Sequence, residues 1–423
     1  MAVFRKKVFK NGLTVILVPM KGSITATALV LVRAGSKYET KDINGISHFL
    51  EHLCFKGTVK RPRAIDIAKE LDEIGAGYNA FTSQEYTGYF AKSHSRHLDR
   101  ILDVVSDIYV GPVFSVEEIE KEKGVIVEEI NMYEDTPARH VQDLFMNLLY
   151  GNQPAGWNIA GEKKIVTSFK REQLLDYRKR HYVASATTVV IAGKFNEKHI
   201  LSLIEKKFDV VATTKKDNKR KVNEEQKAPG VLLEAKKTDQ SHIVLGFRSY
   251  GIHHRDNFII DVMAALLGSG MSSRLFQHIR EEMGVGYYVR AYNELHTDHG
   301  VFQISAGVDN KRVREVIRAV IDEVGKLKKE TVSEDELKKV KDHIAGSMSL
   351  ELESSDSMAT FYGVQHVLKH SVITPREIMK KVREVTPQQI KRVANRLFVD
   401  ERLNMAMVGP HTDKKSIARI LKM

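Results

Sequence analysis

The sequence predicts an α+β protein of two homologous halves, each a mainly antiparallel sheet covered by helices, joined by a linker to form a clamp. Two observations support this prediction. The same order of strands and helices occurs on both sides of residues 213–230. That segment is polar and highly charged and ends in Pro229-Gly230, a composition typical of a linker. We therefore divide the chain into residues 1–212, the linker 213–230 and residues 231–423.

The elements of each half follow from the periodicity of its apolar residues. Two apolar strands come first, expected at residues 13–19 and 26–33 in the first half and at 231–235 and 241–247 in the second. A helical segment follows, and an amphipathic helix then ends at Gly-x-Gly-Tyr before two strands of alternating pattern. A further long helix and a final apolar strand complete each half. Two such halves suggest a cleft between them.

Composition limits the function classes that fit the chain. Its 423 residues are 42% hydrophobic and 28% charged, as in ordinary globular proteins. No apolar run approaches the roughly 20 residues that cross a bilayer, so no membrane partner is expected. The net charge is +12, but basic residues are mixed with acids, and the densest cluster, 215–221, has no interleaved aromatic residues. Nucleic acid is therefore not an expected partner.

Cysteine usage bears on the compartment. The chain has one cysteine, Cys54, which excludes an internal disulfide and favours a reducing compartment, so we predict a cytoplasmic protein. A mature chain whose targeting peptide has been removed would look the same. Cys54 follows the helix motif described next and is expected to be a packed thiol that points away from the motif face.

The segment NGISHFLEHLCF contains a candidate metal-binding motif. His48 and His52 are four residues apart, so a helix places both imidazoles on one face, where they can bind one metal ion. Glu51 lies near the same face and can take a proton from a bound water. This order is the reverse of the commoner His-Glu-x-x-His zinc helix and defines the inverzincins.

A catalytic zinc needs a third protein ligand and an open position. Downstream, SVEEIEKEKGVIVEEINMYEDTP predicts a helix rich in glutamate. Glu122 and Glu129 are seven residues apart and share a face, whereas Glu128 points about a quarter-turn away. Spacing alone does not choose among these acids.

Together, HFLEHLCFKGT and VIVEEINMYEDTP resemble the pitrilysin/insulysin family, which includes mitochondrial processing peptidase and small bacterial peptidases. The resemblance extends from NGLTVILV to the closing strand, nearly the whole chain. It implies that the third ligand is Glu129, 77 positions after His52, and that Glu122 supports the site. It also implies one Zn²⁺ per chain, favoured over manganese or cobalt by ligand type.

The same resemblance implies residues that handle substrate. In RLFQHIREEMGVGYYVRAYNE, Arg280 and Tyr287 match an arginine and a Gly-Tyr pair that donate to the oxyanion of the reaction, with Tyr288 as the adjacent alternative. GAGYNAFTSQEYTGYF is similar to an edge strand that accepts an extended peptide, with Asn79 and Ala80 at its centre.

The second half has no His-x-x-Glu-His motif, so one metal site per chain is expected. Four histidines elsewhere lack a ligand arrangement with a partner acid and are expected at the surface: His253, His254, His296 and His299.

The sequence therefore predicts a zinc-dependent endopeptidase that acts on peptides or unfolded polypeptides, with Glu51 as the general base. A homodimer is expected, and a heterodimer is an alternative. Two other functions stay open: a catalytic subunit that needs a non-identical partner, and a structural or assembly protein that has kept the fold. The sequence does not specify the natural substrate, the cleavage preference or the greatest substrate length.

Overall fold

The computed structural model describes residues 4–423, which form two compact units. Unit 1 contains the described residues up to Ile130, together with Asn158–Arg220 and Ser349–Val372. Unit 2 contains Asn131–Trp157, Lys221–Met348 and Ile373–Met423. Each unit therefore includes a segment that comes from the other half of the sequence. Within residues 4–423, no helix has the length and apolar character needed to cross a membrane.

The strands are β1 (Arg5–Val8), β2 (Thr14–Pro19), β3 (Thr25–Val32), β4 (Gly77–Thr82), β5 (Thr87–His94), β6 (Thr187–Gly193), β7 (Gly230–Ala235), β8 (Gln240–Ser249), β9 (Gly286–Leu295), β10 (Gly300–Asp309) and β11 (Leu403–Gly409).

The helices are α1 (Ile46–Leu53), α2 (Ala64–Asp72), α3 (Leu98–Val110), α4 (Val116–Glu134), α5 (Pro137–Tyr150), α6 (Lys163–Val166), α7 (Arg171–His181), α8 (Glu197–Phe208), α9 (Asn257–Gly268), α10 (Val313–Lys329), α11 (Glu334–Glu351), α12 (Ser355–Lys369), α13 (Pro375–Arg383), α14 (Pro387–Leu397) and α15 (Lys414–Ile420). A π-helix spans Phe276–Glu282, before β9.

The two sheets share one topology. The unit 1 sheet has the order β1-β2-β6-β3-β5-β4, and the unit 2 sheet has the order β7-β11-β8-β10-β9. In unit 1 the β2–β6 pair is parallel, as is β7–β11 in unit 2, and the remaining pairs are antiparallel. Apart from the added edge strand β1, the strand orders and directions match one to one. The structure thus confirms the predicted α+β class with two mainly antiparallel sheets.

Each sheet is covered by helices on both faces. In β3, Ala28 and Val30 belong to the larger core beneath α1 and α3, whereas Leu29 and Leu31 face the other side, against α12. Burial on both faces explains why this antiparallel strand is apolar almost throughout rather than alternating. The second face of the unit 2 sheet packs against α5, where Phe145 belongs to the cluster.

Candidate metal centre

Helix α1, which carries the His-x-x-Glu-His motif, begins at a buried polar cap. The Glu39 carboxylate accepts hydrogen bonds from the backbone N–H groups of Gly45 at 2.8 Å and Ser47 at 2.9 Å, and from the Asn44 amide at 3.0 Å. These contacts satisfy N–H groups that have no partner inside the helix. Burial raises the pKa of Glu39 to about 7, although these hydrogen bonds lower it. The cap fixes where the helix starts.

Gly45 is required at this start for steric reasons. Its φ is +98°, and a Cβ there would lie 2.6 Å from the Ala160 carbonyl oxygen and 2.9 Å from Gly161 Cα. Farther along, the Ser47 hydroxyl hydrogen-bonds the Tyr177 hydroxyl at 2.8 Å. Helix α1 is therefore held close to neighbouring backbone, which a side chain at residue 45 would prevent.

The three predicted ligands lie together in unit 1. His48 Nε2 and His52 Nε2 are 3.2 Å apart, and Glu129 Oε2 lies 3.6 Å from the first nitrogen and 3.4 Å from the second. Among the described residues, these three form the group of histidine and acid side chains that is close enough to hold a metal ion. The first two are one turn apart on α1, and Glu129 comes from α4.

These separations match a tetrahedral site. Zinc binds histidine nitrogen and carboxylate oxygen at about 2.0–2.2 Å, so two ligand atoms of a tetrahedron are about 3.4 Å apart. The observed values of 3.2, 3.4 and 3.6 Å lie around that figure. The three atoms form one face of such a tetrahedron, which leaves a fourth position for water or substrate. The donor set fits zinc.

Glu122 supports His52 from the same helix that carries Glu129. Its Oε1 accepts a hydrogen bond from His52 Nδ1 at 2.8 Å, and its Oε2 lies 2.7 Å from the Lys56 ammonium. Glu122 is only 2% exposed. This contact orients the ring so that its other nitrogen faces the metal position. Glu128, the acid that spacing could not exclude, is exposed to solvent.

The two histidines differ in protonation. Burial, and then the neighbouring His52, lower the pKa of His48 to about 4, so its ring is neutral at pH 7. For His52, burial lowers the pKa, but hydrogen bonds to Glu122 and Glu129 outweigh it and bring the value to about 9. Because metal ligands bind deprotonated, a metal ion at this site would have to displace the proton of His52.

Glu51 lies beside the three ligands and contacts strand β4. Its Oε2 accepts a hydrogen bond from the Thr82 hydroxyl. Burial raises the pKa of Glu51, while the bond from Thr82 lowers it. Among the described residues, the other carboxylate oxygen has no hydrogen-bond donor. One oxygen of Glu51 is thus held, and the other is available for proton transfer.

Strand β4 is an edge strand, because it pairs only with β5 in the unit 1 sheet. Asn79 is exposed on it, and the neighbouring Ala80 is partly buried. The outer backbone edge of β4 can therefore pair with an extended chain.

Arg280 and Tyr287 lie in unit 2, close to each other. The Arg280 guanidinium donates to the Tyr287 backbone carbonyl at 3.1 Å, and the Tyr287 side chain is 60% exposed. Tyr288 points to the other side of β9, where its hydroxyl hydrogen-bonds His242 Nδ1 at 3.1 Å. Of the two adjacent tyrosines, Tyr287 is the one whose ring is open to solvent.

The expected surface position is wrong for two histidines. His296 and His299 are 6% and 1% exposed, and their rings stack with centroids 4.3 Å apart. The edge of His299 also packs against Tyr150. Each ring also has an acid partner, which was not expected from the sequence: His296 Nε2 lies 3.1 Å from Glu294 Oε1, and His299 Nδ1 lies 3.0 Å from Asp298 Oδ1. Such hydrogen bonds offset the cost of burying an imidazole. His253, by contrast, is exposed.

Cys54 is a buried thiol, as predicted. Its Sγ lies 3.6 Å from the Tyr89 hydroxyl, and burial raises the pKa of the thiol to about 11. It therefore stays protonated and takes no part in the metal centre.

Three residues around the centre were not identified from the sequence: Glu39, Lys56 and Thr82. Glu39 caps α1, whereas Lys56 and Thr82 act through identified residues, as partners of Glu122 and Glu51. Lys56 lies four residues after His52, which is a spacing signal on a helix, although the helix ends before it. The contacts of Glu39 are local, with residues five to eight positions later, whereas the contact of Thr82 depends on how β4 packs against α1.

Comparison with known proteins gives a consistent result. The family model described as Insulinase (Peptidase family M16) matches residues 14–163, and the one described as Peptidase M16 inactive domain matches residues 168–344. The chain is 33% identical over 402 residues to the uncharacterized zinc protease YmxG of Bacillus subtilis, covering 95% of this chain and 97% of the relative.

Solved structures are similar over nearly the full length. A protease from Helicobacter pylori has a TM-score of 0.89 at 23% identity, covering 97% of this chain and 100% of that chain. A chain of complex III2 from Candida albicans has a TM-score of 0.85 at 17% identity, with coverage of 99% and 100%. At these identities the likeness shows the fold alone.

Proposed function

Because this chain belongs to the insulinase family of peptidases, family M16, we propose that it is a zinc-dependent endopeptidase that hydrolyses peptides or unfolded polypeptides. The name of the Bacillus subtilis relative, a zinc protease, supports this proposal at the family level. The inverted motif of α1 gives the proposal its particular mechanism.

One observation carries the proposal. Two histidine nitrogens and one carboxylate oxygen lie 3.2–3.6 Å from one another. Glu51, the residue immediately before His52, adds a carboxylate on the same helix turn. A structural zinc site is closed by four protein ligands, whereas three protein ligands with an open fourth position are typical of catalytic sites. The arrangement therefore favours hydrolysis over a purely structural metal.

The chemistry follows from the residues around the site. His48, His52 and Glu129 would hold the zinc ion, which would supply Lewis acidity and a lowered pKa of water at the site. Glu51 takes a proton from the attacking water and returns it to the leaving amine. Glu122 holds His52 in the orientation that binding requires.

Substrate contacts complete the proposed mechanism. We propose that the outer edge of β4, around Asn79 and Ala80, pairs with an extended peptide through main-chain hydrogen bonds, which makes recognition largely independent of side chains. Arg280 and Tyr287 offer a cation and a phenolic O–H, both suitable donors to an oxyanion. Their part in the reaction stays a prediction from the sequence.

A direct test compares wild type with Glu51→Gln. Bound zinc and cleavage of a quenched, unstructured peptide are measured in both proteins. We expect about one zinc per chain in each, because Glu51 is not a ligand, and chelator-sensitive cleavage in wild type alone. Full peptidase activity in the variant would exclude Glu51 as the base. Absence of metal from both proteins would exclude the zinc mechanism.

The wild type and the Glu51→Gln variant also distinguish the proposal from two other functions. A catalytic subunit with a non-identical partner would bind zinc yet cleave nothing alone, and native mass measurement beside the assay would reveal this. A structural or assembly role gives no reason for the three-ligand cluster. The cytoplasmic location and the homodimer stay predictions, which fractionation and the same mass measurement test.

A further inference from the structure

We infer that Thr82 is the positioning residue of the general base, fixing the Glu51 carboxylate relative to the strand that would bind substrate. The inference rests on the proposed function, because it assigns Thr82 a part in the same reaction. Thr82 itself contacts neither the ligand atoms nor the position of the metal; it acts through Glu51 alone.

The hydrogen bond between Thr82 and Glu51 joins β4, the proposed substrate-binding strand, to α1, which carries the metal motif. Thr82 is the last residue of β4 and lies opposite Thr87 of β5. Its side chain is on the same face of the sheet as Tyr78 and Ala80, which pack on the core beneath α1, while Phe81 points to the opposite face. The Thr82 hydroxyl donates to Glu51 Oε2 from that face.

The bond restrains a side chain that would otherwise be mobile. A glutamate has three rotatable side-chain bonds, so its carboxylate takes up many positions unless a contact holds it. Threonine is β-branched and stiff at its first torsion, so its hydroxyl has a defined direction. Since Oε2 is held and Oε1 has no donor among the described residues, the bond selects which oxygen of Glu51 faces the reacting groups.

The position of Thr82 is itself fixed by the next residues of the chain. In the turn after β4, the carbonyl of Ser83 accepts from the Ser36 N–H at 3.3 Å, and that of Gln84 accepts from the Lys37 N–H at 2.8 Å. A Cβ on Gly35 would lie 2.2 Å from the Ser83 oxygen, so the two backbones approach as closely as glycine permits.

The same loop is also tied to α1. The Tyr177 hydroxyl lies 3.4 Å from the Gly35 carbonyl and 2.8 Å from the Ser47 hydroxyl of α1. The start of α1 and the end of β4 are therefore held by one set of contacts. The hydrogen bond between Thr82 and Glu51 is a second link between β4 and α1, next to the proposed metal ligands. Such support on rigid elements is what a positioned base requires.

A consequence for catalysis follows. A peptide added to the outer edge of β4 takes its register from the strand that ends at Thr82. One hydroxyl then sets the placement of the base against the scissile carbonyl. Because small misplacements of a catalytic group lower the rate of the chemical step, loss of this bond should lower kcat rather than weaken peptide binding.

The kinetic test uses Thr82→Val, which keeps the shape of the side chain but removes the donor. A hydrogen bond to a charged group is worth about 1.5–3 kcal/mol, so we expect kcat to fall about tenfold to a hundredfold, with KM and zinc content unchanged. Thr82→Ser should recover most of kcat, because it restores the hydroxyl. Unchanged kcat in Thr82→Val would overturn the inference.

Thr87→Val is the matched control. Thr87 lies opposite Thr82 in the same hairpin, and its hydroxyl donates to the Ala34 carbonyl at 2.9 Å, away from Glu51. This variant should lose stability but keep kcat. An equal loss of kcat in Thr87→Val and Thr82→Val would show that any disturbance of the hairpin suffices, and would reject a specific role for Thr82.

Crystal structures of the zinc-loaded wild type and Thr82→Val give a second readout that does not depend on activity. We expect one Glu51 conformer, bonded to Thr82, in wild type, and several conformers in the variant. A Glu51 side chain turned away from Thr82 in wild type would overturn the inference. If zinc-loaded wild type cleaves no peptide, the proposed function fails, and the two crystal structures alone decide whether Thr82 positions Glu51.

Discussion

Individual residues around the metal centre are supported unequally. His52 has a carboxylate partner, Glu122, at its Nδ1 atom, and Glu122 is in turn paired with Lys56. His48 Nδ1 is buried and has no hydrogen-bond partner within residues 4–423. At the Nδ1 side, the orientation of His48 therefore depends on packing, whereas that of His52 is held by the hydrogen bond to Glu122. Removing the partner should expose this difference.

Glu122→Gln tests the support of His52. The neutral amide is a weaker acceptor for His52 Nδ1 and loses the ion pair with Lys56, so we expect zinc affinity to fall about tenfold to a hundredfold. Competition with a chromogenic chelator measures the affinity.

The matched control for this variant is Glu128→Gln, on the solvent-exposed face of the same helix. It removes the same charge but should leave zinc affinity within about twofold of wild type, since exposed charges interact weakly. Equal losses in the two variants would mean that net charge, and not the bond to His52, sets the affinity.

Residue spacing predicts some of these contacts and not others. A separation of four positions between two histidines, or of seven between two glutamates, specifies a shared helix face whatever the rest of the fold does. The contact between Thr82 and Glu51 joins a strand to a helix 31 residues away, and it exists only once both pack together. The burial of His299 likewise depends on a tyrosine about 150 residues earlier in the chain.

Among the elements, α1 has a start that is constrained by both backbone conformation and close contact. Gly45 combines a left-handed φ of +98° with backbone within 3 Å of any Cβ. Gly75 also has a positive φ, +61°, but a Cβ there would meet no atom within 4 Å. Substituting alanine at Gly45 and at Gly75 therefore separates two free-energy costs: that of a left-handed backbone and that of a Cβ that clashes with neighbouring backbone.

We predict different outcomes for Gly45→Ala and Gly75→Ala. The second should lose about 1–2 kcal/mol, the cost of a left-handed conformation for an L-residue. The first should lose several kcal/mol more, because α1 must move from the backbone at residues 160 and 161. Thermal unfolding and zinc affinity are the measurements. Equal losses, or unchanged zinc affinity in Gly45→Ala, would contradict the account of the helix start.

At this scale the sequence predicts the order of elements well and their partners less well. The repeated order of strands and helices gives two sheets of equal topology, because each half carries its own apolar patterns. Helices α5 and α12, however, pack on the sheets of the opposite halves of the sequence. An amphipathic pattern shows that a helix has an apolar face, but not which sheet receives it.

For the whole molecule, unit 1 includes Ser349–Val372, a segment from the second half of the sequence. The stability of unit 1 therefore depends on residues near position 360. Helix α12 covers the second face of its sheet, and Gly363 lies at the contact. A Cβ there would be 2.6 Å from Leu31 Cδ1 and 2.9 Å from Val190 Cγ2. A larger side chain at this point should therefore disturb strands that are about 170 to 330 residues earlier in the sequence.

Gly363→Val tests this dependence in the full chain. Overpacking of a core costs about 1–3 kcal/mol, so we expect amide hydrogen exchange in β3 and β6 to accelerate about tenfold to a hundredfold where it proceeds through opening of unit 1. Gly346→Val is the control, because a Cβ at Gly346 of α11 meets no atom within 4 Å and valine and glycine have similar helix propensities. Faster exchange in the unit 2 strands β8 and β10, with β3 and β6 unchanged, would contradict the assignment of α12 to unit 1. Acceleration confined to β3 and β6 would mean that unit 1 depends for its stability on a helix from the other half of the chain, although the three proposed zinc ligands all lie before residue 130.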